Sequence, residues 1–111
     1  MRNFVQSSEK LVVTAPYTVA SGAGCLVGSL FGVAESAAAS GAQVNLVLDG
    51  VVDLAKATAQ AWTAGARLYW DDTAKNVTTT VSTNKLIGVA TQTQLTSDAV
   101  GRVLLTKAFT L

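Results

Sequence analysis

The sequence predicts an all-β fold: one small single-domain barrel or sandwich, made of two similar β-modules, with at most one or two short helices. Three observations carry this. Short runs of β-branched and other apolar residues recur along the chain, each cut off by Gly, Ser, Asn or Asp, which is the signature of strands and turns at regular spacing. The 111 residues suffice for one domain and one core. The chain also repeats itself. Leu30-Phe31-Gly32-Val33-Ala34 is echoed by Leu86-Ile87-Gly88-Val89-Ala90, and Gly22-Ala23-Gly24-Cys25-Leu26-Val27 by Gly65-Ala66-Arg67-Leu68-Tyr69-Trp70. Two such modules would pair to close one core, since neither buries its apolar face alone.

Taken in order, Leu11 to Thr14 reads as a strand stopped at Pro16, a residue confined to strand edges and ends. Cys25 to Val27 and Leu30 to Ala34 follow as strands, separated by Gly28. Val44 to Leu48 alternates at first and then runs apolar, as a strand buried on both faces does. Asp49-Gly50 between two apolar runs is a strong short-range hairpin signal, which makes Val51 to Leu54 the return strand. Leu68 to Trp70 and Val77 to Val81 form a second expected hairpin around Asp71-Asp72 and Lys75-Asn76. Ser82-Thr83-Asn84 turns into Leu86 to Ala90, and Val103 to Leu105 closes the core. Ser36 to Ala39 and Ala55 to Trp62 are Ala-rich enough for a turn or two of helix. Neither has an apolar stripe, and helices that short are marginal without packing.

Composition narrows the function. Only 14% of residues are charged, against about 25% in an ordinary soluble domain. A net charge of +1 leaves no basic stripe for nucleic acid. Leu11 to Ala34 carries no charge, and Arg2 and Lys10 precede it, as in a targeting segment. Thr14, Pro16, Thr18, Ser21, Gly22, Gly24, Gly28 and Ser29 break it up too often for a membrane span, so the expectation is a soluble, intracellular chain. An apolar surplus with few charges points to a surface partly covered by other subunits. Trp62 and Trp70 are the expected anchors of that homo-oligomer interface.

The chemistry of catalysis is thin. The chain has no His, hence neither the commonest general base nor the commonest transition-metal ligand. Its one cysteine, Cys25, sits in an apolar run and reads as a buried structural thiol. Asp71-Asp72 reads as a turn-capping pair rather than an acid dyad, because adjacent strand residues face opposite ways. Gly22-Ala23-Gly24 continues to Val27 where a dinucleotide fingerprint needs its third glycine, and Gly28-Ser29 lacks the P-loop lysine. No catalytic residue, metal site or cofactor is expected, and the chain does not read as an enzyme.

Met1 to Gln6, Gly24 to Ala34, Val51 to Lys56, Gly65 to Asp71, Lys75 to Thr80 and Leu86 to Ala90 together resemble the small phage and prophage head decoration, or capsid cement, proteins. The resemblance spans essentially the whole chain. It implies a virion protein, made in the bacterial host cytoplasm, that binds the major capsid protein on the outside of the head and reinforces the shell. It further implies a homo-oligomer, with trimers favoured and dimers on some shells, and no nucleic-acid or membrane partner. Residues 1–10 are then an N-terminal arm and 11–111 the β-domain. The arm holds too little apolar area to order by itself, but Asn3, Phe4, Val5 and Gln6 have the β-propensity to add to an exposed capsid sheet edge. A different reading is a phage tail or receptor module that binds glycans, for which Trp62 and Trp70 would supply an aromatic platform.

Overall fold

The computed structural model describes residues 10–58, 60–105 and 110. Nine strands account for its regular structure: β1 (Lys10–Thr14), β2 (Gly24–Val27), β3 (Leu30–Ala34), β4 (Gln43–Val47), β5 (Val51–Ala55), β6 (Arg67–Asp71), β7 (Asn76–Thr78), β8 (Lys85–Ala90) and β9 (Val100–Leu105). They form two antiparallel sheets, ordered β1-β4-β3-β2 and β5-β9-β8-β6-β7, and one sheet curls into a half-barrel. The all-β expectation holds, and every expected strand is present to within a residue or two, save that β7 ends at Thr78, short of the expected Val81, and β9 begins at Val100, three residues before the expected Val103.

Two local expectations are corrected. No helix occurs among the described residues. Ser36 to Ala39 instead runs beside the preceding loop, with Val19 and Ala38 exchanging both backbone hydrogen bonds at 2.9 and 3.0 Å. In the second Ala-rich stretch, Lys56 bridges to Val77 and Trp62 to Gln94. Asp49-Gly50 does turn the chain, with Gly50 at φ 107° and its amide donating to Asp49 Oδ1 at 2.8 Å. It does not make a hairpin, because β4 already has β1 on one side and β3 on the other. With no free edge beside β4, β5 passes to the other sheet.

The repeat seen in the sequence is a repeat of structure. β1, β2, β3 and β4 correspond to β5, β6, β8 and β9, and the strand order of the two sheets matches under that correspondence. Loop hydrogen bonds match as well. Gly22 N donates to Ala34 O and Ala34 N to Ala23 O, just as Gly65 N donates to Ala90 O and Ala90 N to Ala66 O. The Val19–Ala38 bridge has its counterpart in Trp62–Gln94. The modules differ at one place: Gly28-Ser29 suffices to join β2 to β3, whereas residues 72–84, including β7, lie between β6 and β8.

Alternation along β3 ties the modules together. Ala34 packs into a cluster with Ala15, Val19, Cys25, Val44, Leu46 and Leu48, closed by the first module's own loops. Phe31 and Val33 point the other way, into a cluster with Leu54, Trp62, Leu68, Trp70, Val77, Ile87, Val103 and Leu105 of the second module. The first sheet is therefore buried on both sides at β3. Each fully buried Leu or Ile here, such as Leu46, Leu68 and Ile87, contributes roughly 1.5–3 kcal/mol relative to exposure. Trp70 lies 5.1 Å from Phe31, centroid to centroid, at 51°. Its approach requires Gly24, where a Cβ would come within 2.7 Å of the indole.

Candidate functional site

Three features of the surface and its supports can carry function. The first is the turn after β6, which reaches from the second module to the first. Tyr17 Oη donates to Asp72 Oδ1 at 3.0 Å and accepts from Leu26 N at 3.1 Å. Trp70 Nε1 donates to the same Asp72 oxygen at 3.0 Å, and Lys75 Nζ lies 3.1 Å from it. The Lys75 ammonium also stands 3.8 Å from the centroid of the Tyr17 ring. Burial, aided by the Asp72 charge, pushes the Tyr17 phenol up to about 12, and burial pushes the Cys25 thiol up. A protonated phenol and thiol beside a carboxylate fit a structural joint and not a nucleophile. Asp71 caps the turn, accepting from Thr73 N at 2.9 Å and Ala74 N at 3.1 Å. The capping role expected for the pair thus falls to Asp71, while Asp72 binds across modules.

The second feature is an open polar depression of about 510 Å³ on the inserted segment, lined by Gln60, Asp71, Asn76, Thr78, Thr80 and Asn84 among others. Gln60 Oε1 organises one wall, accepting from Thr78 Oγ1 and Thr79 N, both at 2.9 Å. Among the described residues no aromatic ring lines it. Beside it, the ammonium of the buried Lys56 donates to the carbonyls of Ala57 and Gln60 and lies 5.1 Å from the Trp62 ring centroid.

The third is the outward face of β5 and β9. Residues opposite one another on neighbouring strands share a face, and the register pairs Val51 with Leu104, Asp53 with Arg102 and Ala55 with Val100. All six side chains are exposed, the three large apolar ones by 54% for Val51, 41% for Leu104 and 51% for Val100. Arg102 Nε and Nη2 donate to the two Asp53 oxygens at 2.9 and 3.2 Å. That fork holds the Asp53 carboxyl below its ordinary range and the guanidinium above its own.

The expected oligomer anchors require correction. Trp62 and Trp70 are 4% and 2% exposed and lie in the core that joins the modules, so neither has surface to offer a second subunit. The same burial removes the aromatic platform of the glycan-binding reading. Trp62 turns inward because Gly101 leaves room, a Cβ there falling 2.4 Å from the ring. The apolar residues that do reach the surface include Val51, Val100 and Leu104, which the sequence reading passed over. Their alternation with Gly101, Val103 and Leu105 was the signal available. Asn3, Phe4, Val5 and Gln6, expected to bind the capsid, lie outside the described residues. Among the described residues no group of three or more His, Cys, Asp or Glu gathers to hold a metal, and no helix is long and apolar enough to cross a membrane.

No curated protein and no solved structure matches the chain. A family model described as phage cement protein matches residues 5–105, a span that includes all nine strands, both modules and the inserted segment between β6 and β8. With a match of that extent over a duplicated β-fold, the chain belongs to the phage cement protein family, structural proteins of the bacteriophage capsid.

Proposed function

We propose that this protein binds major capsid proteins on the outer surface of the phage head and stabilises the shell, acting there as a homo-oligomer and reaching the head from the host cytoplasm. The observation that carries this reading is the family match over residues 5–105, supported by an exposed sheet face that keeps apolar side chains at the surface. Residues 1–10 serve as an arm whose last residue, Lys10, already opens β1, and the remainder as the β-domain. Asn3, Phe4, Val5 and Gln6 add as a strand to an exposed edge of the capsid protein, main-chain hydrogen bonds supplying affinity and Phe4 a pocket contact. The arm leads into β1, which ends its sheet with β4 on one side only, so a strand added by the arm need not disturb the β-domain.

Binding of the full chain to undecorated heads, counted by gel and electron microscopy, tests the function. Saturable decoration and a higher disruption temperature of the shell are expected; heads that stay bare would overturn it. Removing residues 1–8 tests the arm. The melt should stay cooperative while shell affinity falls at least tenfold, about 1.4 kcal/mol. A lost cooperative melt would assign Phe4 to the core, and unchanged occupancy would deny the arm a role.

A further inference from the structure

The two modules place equivalent residues at equivalent positions on their outward faces, and those residues differ in kind. Lys10 opposite Val47, Val12 opposite Asn45 and Thr14 opposite Gln43 on β1 and β4 correspond to Val51 opposite Leu104, Asp53 opposite Arg102 and Ala55 opposite Val100 on β5 and β9. Where the first module exposes Lys10, Thr14 and Gln43, the second exposes Val51, Ala55 and Val100. The fold and its exposure are alike, so neither explains apolar residues at these places. An apolar cluster around a single ion pair has the composition of a contact surface.

We infer that the β5–β9 face docks on the same face of a second copy, across a two-fold axis running along the strands between β5 and β9. This rests on the homo-oligomer of the proposed function and names its surface. The register supplies the argument. Rotation about that axis lays β5 of one copy over β9 of the other while keeping each cross-strand row at its own height. Val51 then meets Leu104, Ala55 meets Val100, and Asp53 meets Arg102, each in both directions. The face carries one acid and one base in one row, so the two-fold sets every charge on its opposite. Such self-complementarity is what an isologous contact requires, and aligned sheet faces pack in this way. A capsid surface has no reason to repeat that pattern.

Charge reversal tests the pairing on the full chain, read by sedimentation velocity over a concentration series. The wild type should move from monomer to dimer. Asp53→Arg leaves two bases on the face and Arg102→Asp two acids, so each variant should self-associate at least about tenfold more weakly. Mixed in equal amounts, the two variants should form a heterodimer, because the basic face meets the acidic one. Both residues are about half exposed, so cooperative melts are expected to persist. Leu104→Arg provides a second route to the monomer, and Val12→Arg on the first module should leave the dimer intact. A wild type that stays monomeric at its highest soluble concentration would overturn the inference, as would variants that still dimerise or a mixture that stays monomeric. Shell binding is scored separately. A dimer that leaves heads bare rejects the proposed function and not this interface. A monomer that decorates heads, and stops doing so with Leu104→Arg, gives the face to the capsid instead.

Discussion

The first module has its outward face covered at one end and polar around Val12 at the other; the second is uncovered and carries three large apolar side chains there. Phe31 and Val33 of β3 lie under the second module's core, and the uncovered remainder presents Lys10, Thr14, Gln43 and Asn45 around a single exposed apolar side chain, Val12. The second sheet exposes Val51, Val100 and Leu104 at equivalent places. Duplication supplies one architecture twice, and what each copy then packs against decides which side chains its surface keeps. Polar outer faces are what end units of repeat assemblies need. The second module does not meet that requirement.

The largest test of this asymmetry is Trp70→Ala. It removes the indole that covers the first module and the donor to Asp72, and should cost about 3–5 kcal/mol, measured by urea denaturation. A loss no greater than that of an ordinary surface change would mean that the modules do not depend on each other. Next comes Gly24→Ala, which forces a methyl within 2.7 Å of Trp70 and 2.8 Å of Phe31. Overpacking of this kind costs about 1–3 kcal/mol, and it should fall on the joint that Phe31 and Trp70 form within the second module's core. Asp72→Ala should follow at about 1–3 kcal/mol, because it leaves the buried Trp70 Nε1 and the Tyr17 hydroxyl without their shared acceptor.

The same joint gives an alkaline signature. Tyr17 keeps its proton in the fold to about 12 against an ordinary value of 10. Below pH 10 both states hold the proton and stability is independent of it. Between pH 10 and about 12 the unfolded chain loses the proton first, so stability falls as pH rises. Tyr17→Phe should flatten the stability profile in that window, and a profile unchanged by the substitution would contradict the burial of the phenol. The smallest effect belongs to Asp53→Asn. Its pair with Arg102 is exposed and solvent-screened, so the denaturation midpoint of the monomer should hardly move. The depressed Asp53 pKa places what contribution there is above the ordinary carboxylate range, to be lost as pH falls through the folded value.

Strands were legible because their cause is local. β-Branched runs ending at Gly, Ser, Asn or Asp place β2, β3, β6 and β8 within a residue, and even the duplication shows in Leu30–Ala34 against Leu86–Ala90. Pairing was less legible. Asp49-Gly50 has the chemistry of a hairpin, but whether β5 can return beside β4 depends on β1, which occupies that edge from far earlier in the chain. The tryptophans were misjudged for a related reason. Alternation requires Tyr69 and Trp70 to face opposite ways without saying which faces in, and Trp62 is drawn inward by the missing side chain of Gly101. Asp72 looked like a turn residue because its partner Tyr17 is 55 positions away. Distant complementarity of this sort leaves no trace in a local window.

Each sheet is drawn from an unbroken stretch of chain, β1 to β4 before β5 to β9, and this sets an order on synthesis. All four strands of the first sheet leave the ribosome before any of the second. Loops that close its inner cluster emerge with them, so that half can settle early. Phe31 and Val33 must wait, since Leu68 and Trp70 are still untranslated. For that interval the nascent chain carries an apolar strip with nothing over it, the kind of surface through which incomplete chains stick to one another. The arrival of Trp70, then Asp72 to take the hydroxyl of Tyr17, ends the exposure. The chain is therefore most prone to stick to its own kind midway through its translation.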